Sequence, residues 1–300
     1  MSEISVEAKY AQPEVVDFWL GLSRQGLQTC EQEIVRRYLP PQGNLLDIGC
    51  GAGRAVLALS QMGYCVSGID LSLPMLAAGR RLSAEARLTG ANVLALPFAD
   101  ESFDAILMFF GALQHVPGRR NRRQAMAGMA RLLKPEGQLI LGLDNLAPAL
   151  VCYGYWLKEK LLKTNGLSRG KGANSRTGTD TTLWARQGHP FIWRLRGLMR
   201  TFRWRTWSAL VDLGRSLSPL PTQAEPGDTK VAQVSLPPTP HFTYYHLYRV
   251  SEVIDDAANA GLSLLGWHSG RELTEGVAYP PFVRQQDKQL FFAFQKPAYK

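Results

Sequence analysis

The chain has 300 residues, of which 45% are hydrophobic and 20% charged, as in an ordinary globular protein. We find no secretory signal and no run of about 18 apolar residues, so we expect a cytoplasmic protein without a membrane span. The four cysteines show neither a CxxC pair nor metal-ligand spacing, so we expect no disulfides and no metal site. The net charge of +9 is confined to residues 145–240, which hold 14 Lys/Arg and five Asp/Glu, whereas the rest holds 20 of each.

Helices and strands are predicted to alternate through the first half of the chain. Residues 13–38 predict one or two helices, ended by Pro40 and Pro41. The elements that follow are strand 44–49, helix 54–62, strand 64–70, helix 72–86, strand 91–96, strand 103–110, helix 119–133 and strand 137–144. This order predicts an α/β fold with a mostly parallel sheet and helices on both of its faces.

The alternation stops after residue 144. Residues 145–240 carry five of the seven tryptophans and several Pro/Ser/Thr-rich stretches, and they predict a basic insertion that is partly helical and partly disordered. Beyond it, a helix over 251–261 and strands over 263–269 and 288–296 complete the sheet as an antiparallel pair. The predicted organisation is therefore a core at 1–144, an insertion at 145–240 and closing elements at 241–300.

A glycine-rich turn, LLDIGCGAGR at 45–54, follows the first predicted core strand. Its spacing is Gly49-x-Gly51-x-Gly53, whereas a dinucleotide fingerprint would need glycine at the position of Arg54. The turn also lacks the Lys-Ser/Thr pair of a phosphate loop. The carboxylate of Asp47, just before the turn, favours a neutral or cationic ligand over a pyrophosphate.

Four segments in order carry a family resemblance: LLDIGCGAGR, GIDLSLPML (68–76), ANVLALPFADESFDAILMFFGALQHV (91–116) and LLKPEGQLIL (132–141). They resemble the motifs of class I S-adenosylmethionine (SAM)-dependent methyltransferases. The resemblance implies a Rossmann-like fold with a large insertion after its fifth strand, and methyl transfer from SAM. The cofactor-binding residues that it implies are Asp47, Gly49, Gly51, Gly53, Asp70, Leu71, Asn92, Val93 and Phe109.

Each part of the cofactor is assigned to its own residues by this resemblance. The glycine turn and Asp47 lie near the methionine part, and Asp70 binds both ribose hydroxyls. Leu71 packs on the adenine. Asn92 and Val93 meet the adenine edge, where the family usually has Asp-Ala; the asparagine oxygen still accepts a hydrogen bond.

Three residues are candidates for the acceptor side. His115 follows the predicted strand at 103–110, where the family has its substrate pocket, and acts either as a general base or as a support for the loop. Methyl transfer from a sulfonium is an in-line displacement, in which positioning contributes much of the rate. The segment HFTYYHLYRVSEV (241–253) resembles part of tRNA wobble-uridine methyltransferases, which implies that Tyr245 and His246 lie near the acceptor.

The segment 191–217 predicts an amphipathic helix with Arg196, Arg200 and Arg203 on its polar side. Three roles remain open: a lid over the pocket, contact with an anionic membrane surface, or RNA binding. We expect a methyltransferase whose acceptor is a small molecule or a lipid-soluble metabolite. The alternatives are a tRNA methyltransferase of the wobble-uridine type and a non-catalytic partner subunit with the same fold.

Overall fold

A computed structural model describes residues 2–145, 228–231 and 241–298 of the chain. These residues belong to one compact unit, and a second unit, residues 150–224, lies outside the described part. The predicted helix at 191–217 therefore stays a prediction. Within the described ranges, no helix is both long and apolar enough to cross a bilayer.

The described residues contain ten strands and nine α-helices. The N-terminal elements are β1 (Ser2–Glu3), α1 (Val6–Tyr10), α2 (Pro13–Ser23) and α3 (Thr29–Tyr38). The core continues with β2 (Asn44–Ile48), α4 (Arg54–Gln61), β3 (Cys65–Asp70), α5 (Leu73–Leu82), β4 (Arg87–Gly90), β5 (Phe103–Met108), α6 (Arg119–Leu132) and β6 (Leu133–Asp144). The C-terminal part contains β7 (Asp228–Val231), β8 (His241–His246), α7 (Val250–Asn259), β9 (Ser263–Ser269), α8 (Gly270–Glu275), α9 (Pro281–Arg284) and β10 (Gln289–Gln295).

The main sheet has seven strands in the order β4-β3-β2-β5-β6-β10-β9. Its first five strands are parallel, whereas β10 runs antiparallel to both β6 and β9. The α/β class, the mostly parallel sheet and the closing antiparallel pair are therefore confirmed. A second, small sheet has the order β1-β8-β7, with β8 parallel to β1 and antiparallel to β7.

The core consists of two layers because side chains of a strand alternate between its faces. In β2, Leu46 and Ile48 join a buried cluster with Met126 of α6. Leu45 points to the other face and joins a cluster with Val56 of α4. Helices thus cover both faces of the sheet, as the sequence predicts. Outside them, α2 packs its buried valines against α5.

The prediction of a strand at 91–96 is wrong. The edge strand is instead β4, at 87–90, where only Leu88 is buried, so hydrophobicity marks it poorly. Residues 91–96 form a turn in which the Asn92 side-chain oxygen accepts a hydrogen bond from the Leu94 N–H at 2.9 Å. Their apolar side chains pack below α6 without strand pairing. Helix α5 also ends earlier than predicted, at Leu82.

Candidate functional site

The glycine turn lies at the carboxyl end of β2, where the connections from β2 and β5 diverge to opposite sides of the sheet. This is the usual ligand position of an open parallel sheet. Gly49, Gly51 and Gly53 all have left-handed φ angles, of 73°, 55° and 82°. A Cβ on Gly49 would stand 2.5 Å from the Cβ of Ala112. The turn therefore needs glycine for its backbone conformation and for its close approach to the loop after β5.

Asp70, at the end of β3, is joined to this turn. One carboxylate oxygen accepts a hydrogen bond from the Gly51 N–H and the other from the Ser72 N–H, each at 2.8 Å. Burial raises the pKa of Asp70, and these backbone hydrogen bonds oppose that rise. Each carboxylate oxygen has further lone pairs, so the group can bind hydroxyls of a ligand while it holds the turn.

Ser72 connects Asp70 to the N-terminal helices. Its side chain caps α5 by accepting the Met75 N–H, and its hydroxyl donates to the Tyr10 carbonyl at 2.8 Å. Helix α1 is thereby tied to the end of β3. This hydrogen bond places the N-terminal segment at the same edge of the sheet as the glycine turn.

Asp47 lies below the turn and is 3% exposed. Burial raises the pKa of its carboxyl to about 7, against the lowering effect of the Arg54 charge, with smaller upward effects from Glu31 and Asp70. The carboxyl of Asp47 is therefore much more readily protonated near neutral pH than an exposed carboxyl is. The carboxyl is prepared to ionise when a cation approaches.

Arg54 forms a buried ion pair that the sequence analysis missed. Its two terminal nitrogens lie 2.5 and 2.6 Å from the carboxylate oxygens of Glu31, which is fully buried in α3. One of them also donates to the Gly26 carbonyl, and the guanidinium lies 4.3 Å from the centre of the Phe110 ring. The pair fixes the start of α4 behind the turn. No sequence motif marks a partner 23 residues upstream.

The predicted adenine-binding residues follow β3 and β4 at the same edge. Leu71 is 41% exposed, a large apolar side chain open to a ligand. Asn92 is exposed and Val93 half-buried. The side-chain oxygen of Asn92 already accepts a backbone hydrogen bond from Leu94, so it has one further acceptor position for a ligand.

Phe109 and Phe110 point in different directions. The Phe109 ring is 3% exposed and packs edge-on against Phe291, 6.1 Å between ring centres, so its side chain belongs to the core rather than to the open edge. Phe110 has a left-handed φ of 54°, uncommon for a bulky residue, and its ring contacts Trp19 of α2 at 5.3 Å. The aromatic side chain beside the turn is therefore Phe110, which the sequence analysis did not single out.

His115 is held between the two ends of the chain. Its Nδ1 lies 3.2 Å from the Tyr244 carbonyl, which can only accept, so Nδ1 carries the proton. Its Nε2 then accepts a hydrogen bond from the Tyr10 hydroxyl at 3.0 Å. The pKa of His115 is lowered to about 4. Burial is the main cause and the charge of Lys9 contributes, whereas the hydrogen bond to Tyr244 raises the pKa. The imidazole is therefore neutral at pH 7.

Tyr245 lies beside His115, with 4.8 Å between their ring centres. Its hydroxyl donates to the Asp144 carboxylate at 2.7 Å and is 3.0 Å from the side-chain oxygen of Gln114. The fully buried Gln114 amide also bonds both backbone groups of Asp144 and the His246 carbonyl. Burial raises the pKa values of Tyr245 and Asp144, so the hydroxyl keeps its proton. We call Tyr10, His115, Tyr245 and Asp144 the acceptor wall.

His246 is not part of this wall, contrary to the grouping that the sequence suggested. Successive side chains of a strand point to opposite faces, so His246 lies behind β8 when Tyr245 lies in front. Its Nδ1 is 2.7 Å from Asp228 and its Nε2 is 2.9 Å from Glu252, and the side chain is fully buried. Arg122, also fully buried, lies 3.3 Å from the same Glu252 oxygen. Both ring nitrogens of His246 are thus taken up by carboxylates.

The comparison with known families decides the class of the domain. Residues 46–141 match the family model described as a methyltransferase domain, and this stretch contains the glycine turn, Asp70 and His115. Residues 46–141 are therefore similar to a methyltransferase domain. A SAM-dependent methyltransferase of Methanosarcina mazei has the same fold, with a TM-score of 0.55, 18% identity, and coverage of 89% of this chain and 98% of that one.

Two curated relatives align with the methyltransferase domain. A demethylmenaquinone methyltransferase of Renibacterium salmoninarum is 36% identical over 101 residues, which are 34% of this chain and 41% of that protein. A probable tRNA methyltransferase 9B of Homo sapiens is 39% identical over 110 residues, which are 36% of this chain and 23% of that protein. The chain thus spans less than half of either relative. In the described ranges, no group of three or more His, Cys, Asp or Glu is arranged to hold a metal ion.

Proposed function

We propose that the chain transfers a methyl group from SAM to an acceptor bound at the acceptor wall. The observation that carries this is the joint between the glycine turn and Asp70: three left-handed glycines leave the backbone open to a ligand, and Asp70 holds the middle one. The family match of residues 46–141 supports the same function.

The residues at the sheet edge fit SAM part by part. Asp70 has acceptor positions for two ribose hydroxyls. In this proposal Leu71 packs on the adenine, Asn92 and Val93 meet its edge, and the carboxyl of Asp47 binds the ammonium of the methionine part. When bound, SAM supplies an electrophilic methyl group on a sulfonium sulfur. The chain orients the acceptor toward it and keeps water away.

We assign His115 to positioning. Its Nε2 is occupied by the Tyr10 hydroxyl and its Nδ1–H by the Tyr244 carbonyl, so the ring connects α1 to β8. Nε2 becomes a base only for an acceptor that displaces Tyr10. His246 supports β8 from behind, between its two carboxylates, and we propose no contact between it and the acceptor.

The test of the proposed function is SAM binding to the purified chain, measured by calorimetry. We expect Asp70→Ala to weaken binding by about 100-fold or more, because two hydrogen bonds to a charged group are lost. The exposed Asp255→Ala is the matched control and should bind as the wild type does. A wild-type chain that binds no SAM would refute the proposal, as would an Asp70→Ala variant with unchanged affinity.

The acceptor class is tested with methyl-labelled SAM and an extract of cells that lack the protein. Label in the lipid or small-molecule fraction would support a metabolite acceptor, the primary proposal, in keeping with the demethylmenaquinone methyltransferase relative. SAM binding without label in any fraction would support the partner-subunit alternative.

A tRNA acceptor is the second candidate. The segment YYHLY lies on and just after β8, so the stretch that resembles wobble-uridine enzymes contributes Tyr245 to the acceptor wall. The similarity to the human probable tRNA methyltransferase 9B also supports a tRNA acceptor. Label in the RNA fraction would favour this candidate. It would also favour RNA binding by the basic insertion proposed at 145–240 over a membrane or lid role.

A further inference from the structure

Lys9 is a buried cation without a carboxylate partner among the residues that the structure describes. It belongs to α1, it is 1% exposed, and its ammonium donates one hydrogen bond, to the Thr243 hydroxyl at 3.1 Å. Within the described part of the chain it forms no ion pair. An ammonium has three N–H donors, so two of them are left for other acceptors. Burial without a counter-charge is unfavourable, and it lowers the pKa of Lys9.

The other buried cations of the described residues have carboxylate partners. Arg54 lies against both oxygens of Glu31, and Arg122 lies 3.3 Å from Glu252. The fold therefore neutralises those two guanidinium groups with its own carboxylates. Lys9 differs from them because its only hydrogen-bond partner there is a neutral hydroxyl. Among the described residues, Lys9 therefore lacks the carboxylate counter-charge that the two arginines have.

The position of Lys9 assigns that counter-charge to the acceptor. Thr243 and Tyr245 are two residues apart on β8, so their side chains share the face that carries the acceptor wall. Tyr10, next to Lys9, bonds His115, and the charge of Lys9 acts on the pKa of that histidine. In contrast, no hydrogen bond joins Lys9 to the glycine turn or to Asp70 in the described residues.

We propose that Lys9 binds an anionic group, a carboxylate or a phosphate, of the methyl acceptor. This inference rests on the proposed function and narrows its substrate class to acids and phosphate-bearing molecules. The anion takes up the free ammonium donors and supplies the missing charge. Helix α1 has only five residues and lies near the N-terminus, so a ligand reaches Lys9 by a local opening that leaves the sheet intact.

The decisive variant replaces both partners, Lys9→Met with Thr243→Val, so that no buried polar group is left unpaired. We expect it to unfold at the same temperature as the wild type or higher, since a desolvated charge is gone. We also expect SAM affinity within about twofold of the wild type, and methyl transfer to the extract reduced about 30-fold or more. Lys9→Arg keeps a cation that cannot act as a base and should retain most of the transfer. Lys288→Met, at an exposed lysine, is the control.

Inorganic phosphate gives a readout that needs no acceptor. Titrated into the chain saturated with S-adenosylhomocysteine, it should raise the unfolding temperature of the wild type and the Lys288→Met control more than that of the double variant. Equal shifts in all three proteins would overturn the proposal, and so would a double variant that transfers methyl groups at the wild-type rate.

Two further outcomes separate the sources of the anion and the two proposals. If the double variant loses affinity for SAM but not for decarboxylated SAM, the anion is the cofactor's own carboxylate, and the assignment to the acceptor is wrong. If the wild type binds no SAM, the proposed function fails. A phosphate response that depends on Lys9 would then still establish an anion site at α1.

Discussion

Asp47→Asn tests whether burial of the ionised Asp47 carboxyl below the glycine turn lowers the stability of the fold. Its pKa is raised to about 7 from an ordinary value of 3.8 because burial outweighs the charge of Arg54. A shift of about 3 units is worth about 4 kcal/mol of differential stability between the two protonation states. The amide variant has no charge to bury, so it removes this pH-dependent cost.

The direction follows from proton binding. Between about pH 4 and 7 the folded chain holds a proton on Asp47 that the unfolded chain has released, so raising the pH favours unfolding. The contribution of Asp47 is fully present below pH 4 and is lost as the pH rises through 7. Between pH 5 and pH 8 the wild type should therefore lose about 2.5 kcal/mol of stability from this group alone.

The assay is urea unfolding of both proteins at pH 5, 6, 7 and 8, followed by far-ultraviolet circular dichroism. The quantity of interest is the difference in free energy of unfolding between Asp47→Asn and the wild type. It should grow by about 2.5 kcal/mol in favour of the variant from pH 5 to pH 8. Asp17→Asn, at an exposed position of α2, is the control for general charge effects. A difference that stays constant with pH would show that burial does not raise the pKa of Asp47.

Three more predictions concern the same edge of the sheet. Arg54→Met should lower the free energy of unfolding by about 3–5 kcal/mol, because Glu31 is left buried and unpaired, and adding Glu31→Gln should recover part of it in urea titrations. As the pH falls from 6.5 to 4, the window set by the lowered pKa of His115, the wild type should lose up to about 3 kcal/mol of stability because of this residue. His115→Gln should not show this loss, and coincident acid-unfolding curves of the two proteins would contradict the prediction. SAM binding at pH 7 should release protons from Asp47, seen by calorimetry in buffers of different ionisation enthalpy, and Asp47→Asn should release fewer.

The sequence predicts the sheet well because its central strands are continuous apolar runs. Such runs are typical of strands buried on both faces, and they mark β2, β5 and β6 within a few residues. The edge strand β4 is missed because only one of its residues is buried. The glycine turn is marked by its three closely spaced glycines, whereas Asp70 is named only because of the family resemblance.

The acceptor wall is much harder to predict, because its contacts join distant parts of the chain. The hydrogen bond from Lys9 to Thr243 spans 234 positions, and that between Tyr10 and His115 spans 105. The sequence analysis predicts no element over residues 6–10, where Lys9 lies in α1. The tyrosines and histidine of β8 are visible as a cluster, but the strand sends Tyr245 and His246 to opposite faces. Residue type alone does not separate the two environments.

The acceptor wall has a consequence for how such a domain diversifies. The glycine turn and Asp70 come from one continuous stretch, residues 46–141, whereas Lys9 and Tyr10 lie near one terminus and Tyr245 lies near the other. If Lys9 and Tyr245 contact the acceptor as proposed, we expect substitutions at these two positions to change which acceptor is methylated while SAM binding by the central stretch is retained.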